Sequence, residues 1–168
     1  MANVKPFASF VKIAAFVIAG LVLGAPSPAT AGKGVILLVR HAERVAGPAT
    51  DDAPLTDAGK ARAQRLAALL AKADIKSIFV TRFGRTQATA KPVADALRLT
   101  PIEESDAVQL VAKLRTHADE TVLVVGHSDT VPDVIKALGG PSVTIGDDEF
   151  DDLFMLVPAT GTLTRLKY

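Results

Sequence analysis

Residues 35–43 read Val35-Ile36-Leu37-Leu38-Val39-Arg40-His41-Ala42-Glu43. Five consecutive apolar residues, three of them leucine or isoleucine, describe a strand buried on both faces. The character then changes at once to an arginine, a histidine, a small residue and a glutamate. In an open α/β sheet the carboxyl ends of the buried strands are where ligands bind. The stretch therefore sets a fixed cation and an imidazole side by side at such an edge.

The same grammar recurs downstream. Thr121–Val125 is another fully apolar strand, and it runs into Gly126-His127-Ser128-Asp129-Thr130. If the two strands lie adjacent and parallel, His41 and His127 emerge at one end of the sheet. Between them, Thr56 and Asp57 open a helix whose apolar stripe is Ala63, Leu66, Leu69, Leu70 and Ala73. Lys60, Arg62, Arg65 and Lys72 fall off that stripe and read as a solvated face. Ile75–Val80 is a second strand. A helix follows Thr81–Ala90 and reaches about Leu97, with a kink or break possible at Pro92. Leu99–Glu103 reads as a short strand. Ser105 and Asp106 cap a helix through Leu114 with Val108, Val111, Ala112 and Leu114 inward. Val131–Leu138 is a helix stopped by Gly139-Gly140-Pro141. Leu153–Val157 and Thr162–Lys167 form a hairpin across Ala159-Thr160-Gly161. Alternating strand and helix predicts a three-layer α/β/α sandwich with a mainly parallel central sheet, and the final hairpin predicts an antiparallel edge.

The N-terminus has a different texture. Lys5 and Lys12 precede an uncharged apolar run, Ile13–Ala25, and Ala29-Thr30-Ala31 is a small-x-small cleavage pattern. Residues 1–31 read as a secretory signal peptide, against an uncleaved anchor or a core helix. The run is short for a bilayer span. A leader at 1–31 leaves one domain, residues 32–168, in the periplasm or secreted, with no stable membrane anchor. Removing Lys5 and Lys12 from the 19 basic residues leaves 17 against 18 acidic ones. Nucleic-acid binders normally carry a clear basic excess, so nucleic acid is not an expected partner. Without cysteine the chain has neither disulfides nor thiolate metal ligands.

Arg40, Arg85, His41 and His127 suit one chemistry. Arginine forks match phosphate oxygens, and a neutral imidazole is a nucleophile near neutral pH. The motifs carry a resemblance that says the same. Arg40-His41-Ala42-Glu43 resembles the Arg-His-Gly-Glu signature of the histidine phosphatase superfamily, the phosphoglycerate mutase-like fold. Pro54-Leu55-Thr56-Asp57-Ala58-Gly59 is similar to its Pro-Leu-Thr-x-x-Gly segment. Thr81-x-x-x-Arg85-x-x-x-Thr89-Ala90 is similar to its Ser-x-x-x-Arg-x-x-x-Thr-Ala segment, and Gly126-His127 to its late Gly-His segment. The resemblance implies that His41 is the nucleophile, that Arg40 and Arg85 clamp the phosphate, and that His127 donates to it.

It implies no cofactor and no metal. A two-histidine zinc site is disfavoured because Arg40 repels a divalent cation and neither histidine has a third ligand at i, i+4.

Departures from the pattern are Ala42 for glycine and Arg82 for proline; Arg82 either adds a phosphate contact or faces solvent. The proton donor to the leaving group is expected at Glu103 or Glu104, with Asp129 as the other candidate, and Glu43 is expected to order its loop. His117 reads as a surface histidine. The acidic cluster Asp147, Asp148, Glu149, Asp151 and Asp152 reads as a solvated loop, or as a rim that repels polyanions.

The expected function is an exported phosphatase acting on a small phosphate monoester or a phosphorylated envelope component through a phosphohistidine on His41. The alternatives are a phosphohistidine-protein phosphatase of the small SixA-like branch and a non-catalytic module that binds phosphorylated ligands. Oligomeric state is not legible.

Overall fold

A computed structural model describes Met1, residues 33–47 and residues 52–168. The expected signal peptide beyond Met1 lies outside the described residues, as does the centre of the loop after Arg44. Among the described residues no helix is long and apolar enough to cross a membrane.

The elements run β1 (Val35–Arg40), α1 (Asp57–Leu70), β2 (Ile75–Val80), α2 (Gly84–Leu97), β3 (Ile102–Glu103), α3 (Ala107–Thr116), β4 (Thr121–Gly126), α4 (Thr130–Ala137), β5 (Asp152–Val157) and β6 (Thr162–Lys167). They form one six-stranded sheet of order β3-β2-β4-β1-β5-β6. Strands β1 to β4 are parallel, β5 returns antiparallel to β1, and β6 closes the antiparallel edge. Helices cover both faces, which explains the unbroken apolar run of β1. Ile36 and Leu38 pack with Val122 and Val124 against α3 and α4. Leu37 and Val39 pack with Leu123 and Val125 against α1 and α2. The three-layer sandwich with an antiparallel edge is the architecture expected from the sequence.

Three local expectations are corrected. In α3 the inward residues are Leu110, Val111 and Leu114, whereas Val108 is 75% exposed and Ala112 faces out. The stripe carrying two leucines buries more apolar surface than the one carrying Val108 and Ala112, so it wins the core face. Strand β3 is only two residues long. Arg98 adopts the left-handed conformation at the C-cap of α2 (φ 57°), the Leu99 N–H is used to bond Ala94 O, and Pro101 offers no N–H. Helix α2 itself runs unbroken through Pro92. Finally, Arg62 is not a solvated residue. Its guanidinium grips the Glu43 carboxylate bidentately, Nε to Oε2 at 2.9 Å and NH2 to Oε1 at 2.6 Å, and NH1 donates to Tyr168 O at 3.0 Å.

That pair belongs to a clamp on the segment after His41. Thr56, the N-cap of α1, accepts from Gly59 N (3.0 Å) and donates its own N–H to Glu43 O (2.9 Å). Gly59 lies so close to Glu43 O that a Cβ there would overlap it. The Thr56 and Gly59 of the Pro-Leu-Thr-x-x-Gly segment therefore have a structural reason: one caps the helix and the other lets it press on the backbone of Glu43. Gly59→Ala is expected to lower stability by about 2 kcal/mol in chemical denaturation, since overpacking against backbone leaves nothing flexible to yield.

Candidate active site

The β1–β4 register pairs Arg40 with Gly126, and the ladder extends by one more bond, His41 N to Gly126 O at 2.9 Å. The next residues in both strands are thus neighbours. The rings of His41 and His127 lie 5.4 Å apart, centroid to centroid, in an edge-on arrangement at 66°. From the end of β2 the chain supplies Thr81 and Phe83, and the first turn of α2 supplies Arg85. A cleft of about 410 Å³ brings together Arg40, His41, Arg85 and His127. Arg44, Phe83, Ser128, Asp129 and Asp147 complete its walls.

His41 is 4% exposed. Its Nδ1 lies 2.8 Å from Ala42 O, and a carbonyl only accepts, so this assigns the proton to Nδ1 and leaves the Nε2 lone pair available. Burial is the main force pushing the His41 pKa down to about 4; the nearby His127, Arg40 and Arg85 add to it, and the Ala42 carbonyl works the other way. His127 is likewise pushed down to about 4, first by burial and then by Arg85 and Arg40, against the pull of Asp129. Both imidazoles are neutral at pH 7. His127 Nε2 sits 3.0 Å from Thr81 Oγ1, which in turn is 3.0 Å from Thr86 Oγ1. The backbone beyond His41 is pinned by Ala42 N donating to Thr89 Oγ1 (3.0 Å), whose own hydroxyl donates to Arg85 O (2.8 Å). Thr89 of the motif thereby ties the nucleophile's segment to the turn that carries Arg85. Ala42 is not among the positive-φ residues, so its methyl group costs no backbone strain there.

Arg40 is held by a loop distant in sequence. Its NH1 donates to Gly146 O (2.8 Å), Asp147 O (2.8 Å) and Glu149 O (3.2 Å), and its guanidinium stacks 4.1 Å from the Phe150 ring centre. Its Nε is buried without a hydrogen-bond partner among the described residues. The loop is anchored in turn by the cations of β6. Arg165 forks onto Asp152 (2.6 and 2.7 Å) and reaches Glu149 (3.1 Å), while Lys167 meets Asp151 (2.8 Å) and Asp152 (2.9 Å). Three of the five acidic residues expected to form a solvated loop, Glu149, Asp151 and Asp152, are therefore scaffold, and Asp152 is 2% exposed. Arg85 is buried, with its guanidinium 4.1 Å from the Phe83 ring centre. Burial is the first cause lowering the pKa of both arginines; they remain cations, given how basic a guanidinium is.

Neither expected proton donor reaches the cleft. Strand β3 lies three strand spacings from β1, on the order of 14 Å. Glu103 is exposed there, and Glu104 is held by Lys113 Nζ (2.6 Å) and Asp106 N (2.9 Å). Asp129 does line the cleft, accepting from Thr130 N (2.6 Å) and Thr130 Oγ1 (3.0 Å). Burial pushes its pKa up, but the Thr130 hydrogen bonds outweigh this and hold the carboxyl below its ordinary value. It is an ionised base, not an acid, at neutral pH. Arg82 is exposed and off the cleft wall, with its guanidinium 5.1 Å from the Phe83 ring centre. His117 caps α3 at the other end of β4 and meets Glu120 Oε2 at 2.8 Å. Among the described residues no three His, Asp or Glu side chains are grouped to hold a metal ion.

Sequence reasoning missed Arg44, Phe83 and Phe150. Arg44 lies three residues past His41 and could have been found from that alone. Phe150 has no local signal, because only the return of β5 beside β1 brings it to the site.

The two neutral imidazoles give a stability prediction with a defined sign. In the unfolded chain a histidine takes up its proton near pH 6.5, and in the fold only near pH 4. The stabilisation is fully present above pH 6.5 and is lost as pH falls towards 4, by about 1 kcal/mol per pH unit for His41. Urea unfolding at pH 7, 6 and 5 is expected to show that decline, and His41→Asn to make it shallower.

The sequence model of the histidine phosphatase superfamily, branch 1, matches residues 36–110. No curated protein sequence matches the chain. Among solved structures, the protein histidine phosphatase SixA in complex with tungstate is similar at TM-score 0.60 and 23% identity, covering 79% of this chain and 94% of that one. A phosphoserine phosphatase from Entamoeba histolytica in complex with 3-phosphoglyceric acid gives TM-score 0.61 at 14% identity, covering 80% and 95%. A mycobacterial glucosyl-3-phosphoglycerate phosphatase gives TM-score 0.60 at 13% identity, covering 79% and 96%. At these identities the structural likeness is one of fold. With four motifs in order and the fold they occur in, the chain is similar over residues 36–110 to the histidine phosphatase superfamily, branch 1.

Proposed function

We propose that this chain is an exported phosphatase that hydrolyses a phosphate monoester through a phosphohistidine on His41. One observation carries the reading. His41 is buried and neutral, its Nε2 is unprotonated, and it shares one cleft with His127, Arg40 and Arg85. Nε2 attacks phosphorus as the bond to the leaving oxygen breaks. Arg40 and Arg85 take the charge that spreads over the phosphoryl oxygens, and a neutral His127 contributes a further hydrogen bond. Water then attacks the phosphohistidine, with the ionised Asp129 as the base at the same cleft. Residues 1–31 are the proposed export signal, and residues 32–168 the mature domain.

One feature favours a second reading, a phosphatase of phosphohistidine in proteins. Asp129, a carboxyl on the cleft wall, is held in its ionised form, so leaving groups that need no strong acid are the better substrates, and imidazole is one. The neighbour named SixA is a protein histidine phosphatase, which is consistent with it. Export distinguishes the two, because it carries the enzyme away from cytoplasmic phosphorelays.

An aryl phosphate assay is the direct test. His41→Ala is expected to lose at least about a thousandfold in kcat/KM, the scale of removing a covalent nucleophile. Rapid acid-free quenching should trap an alkali-stable, acid-labile phosphoenzyme in the wild type and not in His41→Ala. The activity of the full chain expressed in a Gram-negative host should fractionate with the periplasm. Undiminished turnover in His41→Ala contradicts the chemistry, and retention in the cytoplasm contradicts the export.

A further inference from the structure

Arg40 ends β1, and three carbonyls converge on one of its nitrogens: NH1 donates to Gly146 O, Asp147 O and Glu149 O. The Phe150 ring lies against the guanidinium at 4.1 Å. NH1 is thereby spent on the protein. NH2 is not buried and has no partner among the described residues, so it is the amino group left to meet an anion. An arginine side chain is long and rich in rotamers. The strand therefore fixes its root, and the loop fixes its aim.

That loop has no ladder to shape it. Residues 141–151 lie between α4 and β5, outside any helix or strand. What sets the three carbonyls is a turn closed twice by one residue. Glu149 N donates to Gly146 O at 3.1 Å, and Glu149 Oε2 accepts from Gly146 N at 2.7 Å. The second bond is charge-assisted and is the stronger of the two. Glu149 Oε1 accepts from Arg165 NH2 at 3.1 Å, which ties the turn to β6. Glu149 does not line the cleft, so what it does for an anion there passes through Arg40.

On the phosphatase reading above, we infer that Glu149 is a positioning residue for the phosphate clamp: its carboxylate closes the turn at 146–149 and thereby aims Arg40 at the phosphoryl group. The hydrogen bond to Gly146 N is the part of the side chain that matters. Its negative charge, set near a cation that must hold an anion, contributes nothing to that affinity by itself.

Two variants separate the hydrogen bond from the charge. Glu149→Gln removes the charge and keeps an oxygen that accepts from Gly146 N, whereas Glu149→Leu removes both. The side chain is 40% exposed, so neither variant opens a buried hole. Calorimetric titration of the purified protein with inorganic phosphate gives Kd, and its stoichiometry counts the folded molecules. Glu149→Leu is expected to weaken phosphate binding about tenfold, the worth of one charge-assisted hydrogen bond, and to lower kcat/KM for an aryl phosphate at least as much. Glu149→Gln is expected to stay within about twofold of wild type in both. A lower stoichiometry with an unchanged Kd in Glu149→Leu makes Glu149 a stability residue only and overturns the inference. Equal weakening in the two variants overturns it too, because the clamp then responds to the charge and not to the turn. An unchanged or tighter Kd in Glu149→Leu, with wild type active, rejects the inference and leaves the phosphatase reading standing. A wild type that neither binds phosphate nor turns over the aryl phosphate rejects both.

Discussion

The hydrogen-bonded register between β1 and β4 is the constraint on which the rest depends. It sets Arg40 opposite Gly126, so that the two strands release their histidines at the same height. Two parallel strands are about 4.8 Å apart, and the imidazoles inherit that spacing as a centroid distance of 5.4 Å. A register slip of one residue would turn every side chain of β1 to the wrong face. The two hydrophobic layers forbid it, because Ile36 and Leu38 fill one layer and Leu37 and Val39 the other. The apolar core and the placement of the histidines are thus a single fact.

Burial then gives the site its chemistry. The same packing that orders His41 strips it of water and keeps it neutral, which is the state a nucleophile needs. The cations that would stabilise a transferring phosphoryl group also disfavour protonation of the ring. The surrounding structure is devoted to holding these groups still. Thr56, Gly59 and Arg62 fix the segment beyond His41, and Thr89 ties that segment to Arg85. Arg165 and Lys167 brace the loop that holds Arg40. Site groups preset in this way lose little freedom when an anion arrives.

Much of this was legible in the sequence, and the reasons differ by residue. Strand β1, strand β4 and helix α1 were readable because their signals are local: unbroken apolar runs, a Thr56 cap, and an apolar stripe from which only Leu69, 51% exposed, departs in favour of Ala67. The convergence of His41, His127, Arg40 and Arg85 was readable because all four follow strand ends in a sheet of known habit. Glu103 and Glu104 were misjudged because the distance of β3 from β1 depends on strand order, which local signals do not carry. Arg62 passed for a solvent residue because a helix position on the polar side reveals nothing of the loop above it. The acidic cluster looked free for the same reason, since its partners Arg165 and Lys167 come from a strand that pairs later in the chain. Long-range electrostatic pairing was the part hidden from sequence.

The convergence itself is what a single experiment can decide. Orthovanadate adopts the five-coordinate geometry of a transferring phosphoryl group, so a crystal structure of its complex reports directly on the site. The account predicts vanadium bonded to Nε2 of His41, with its equatorial oxygens on Arg40, Arg85 and His127. Vanadium bonded to another residue, or bound away from these four side chains, would contradict it.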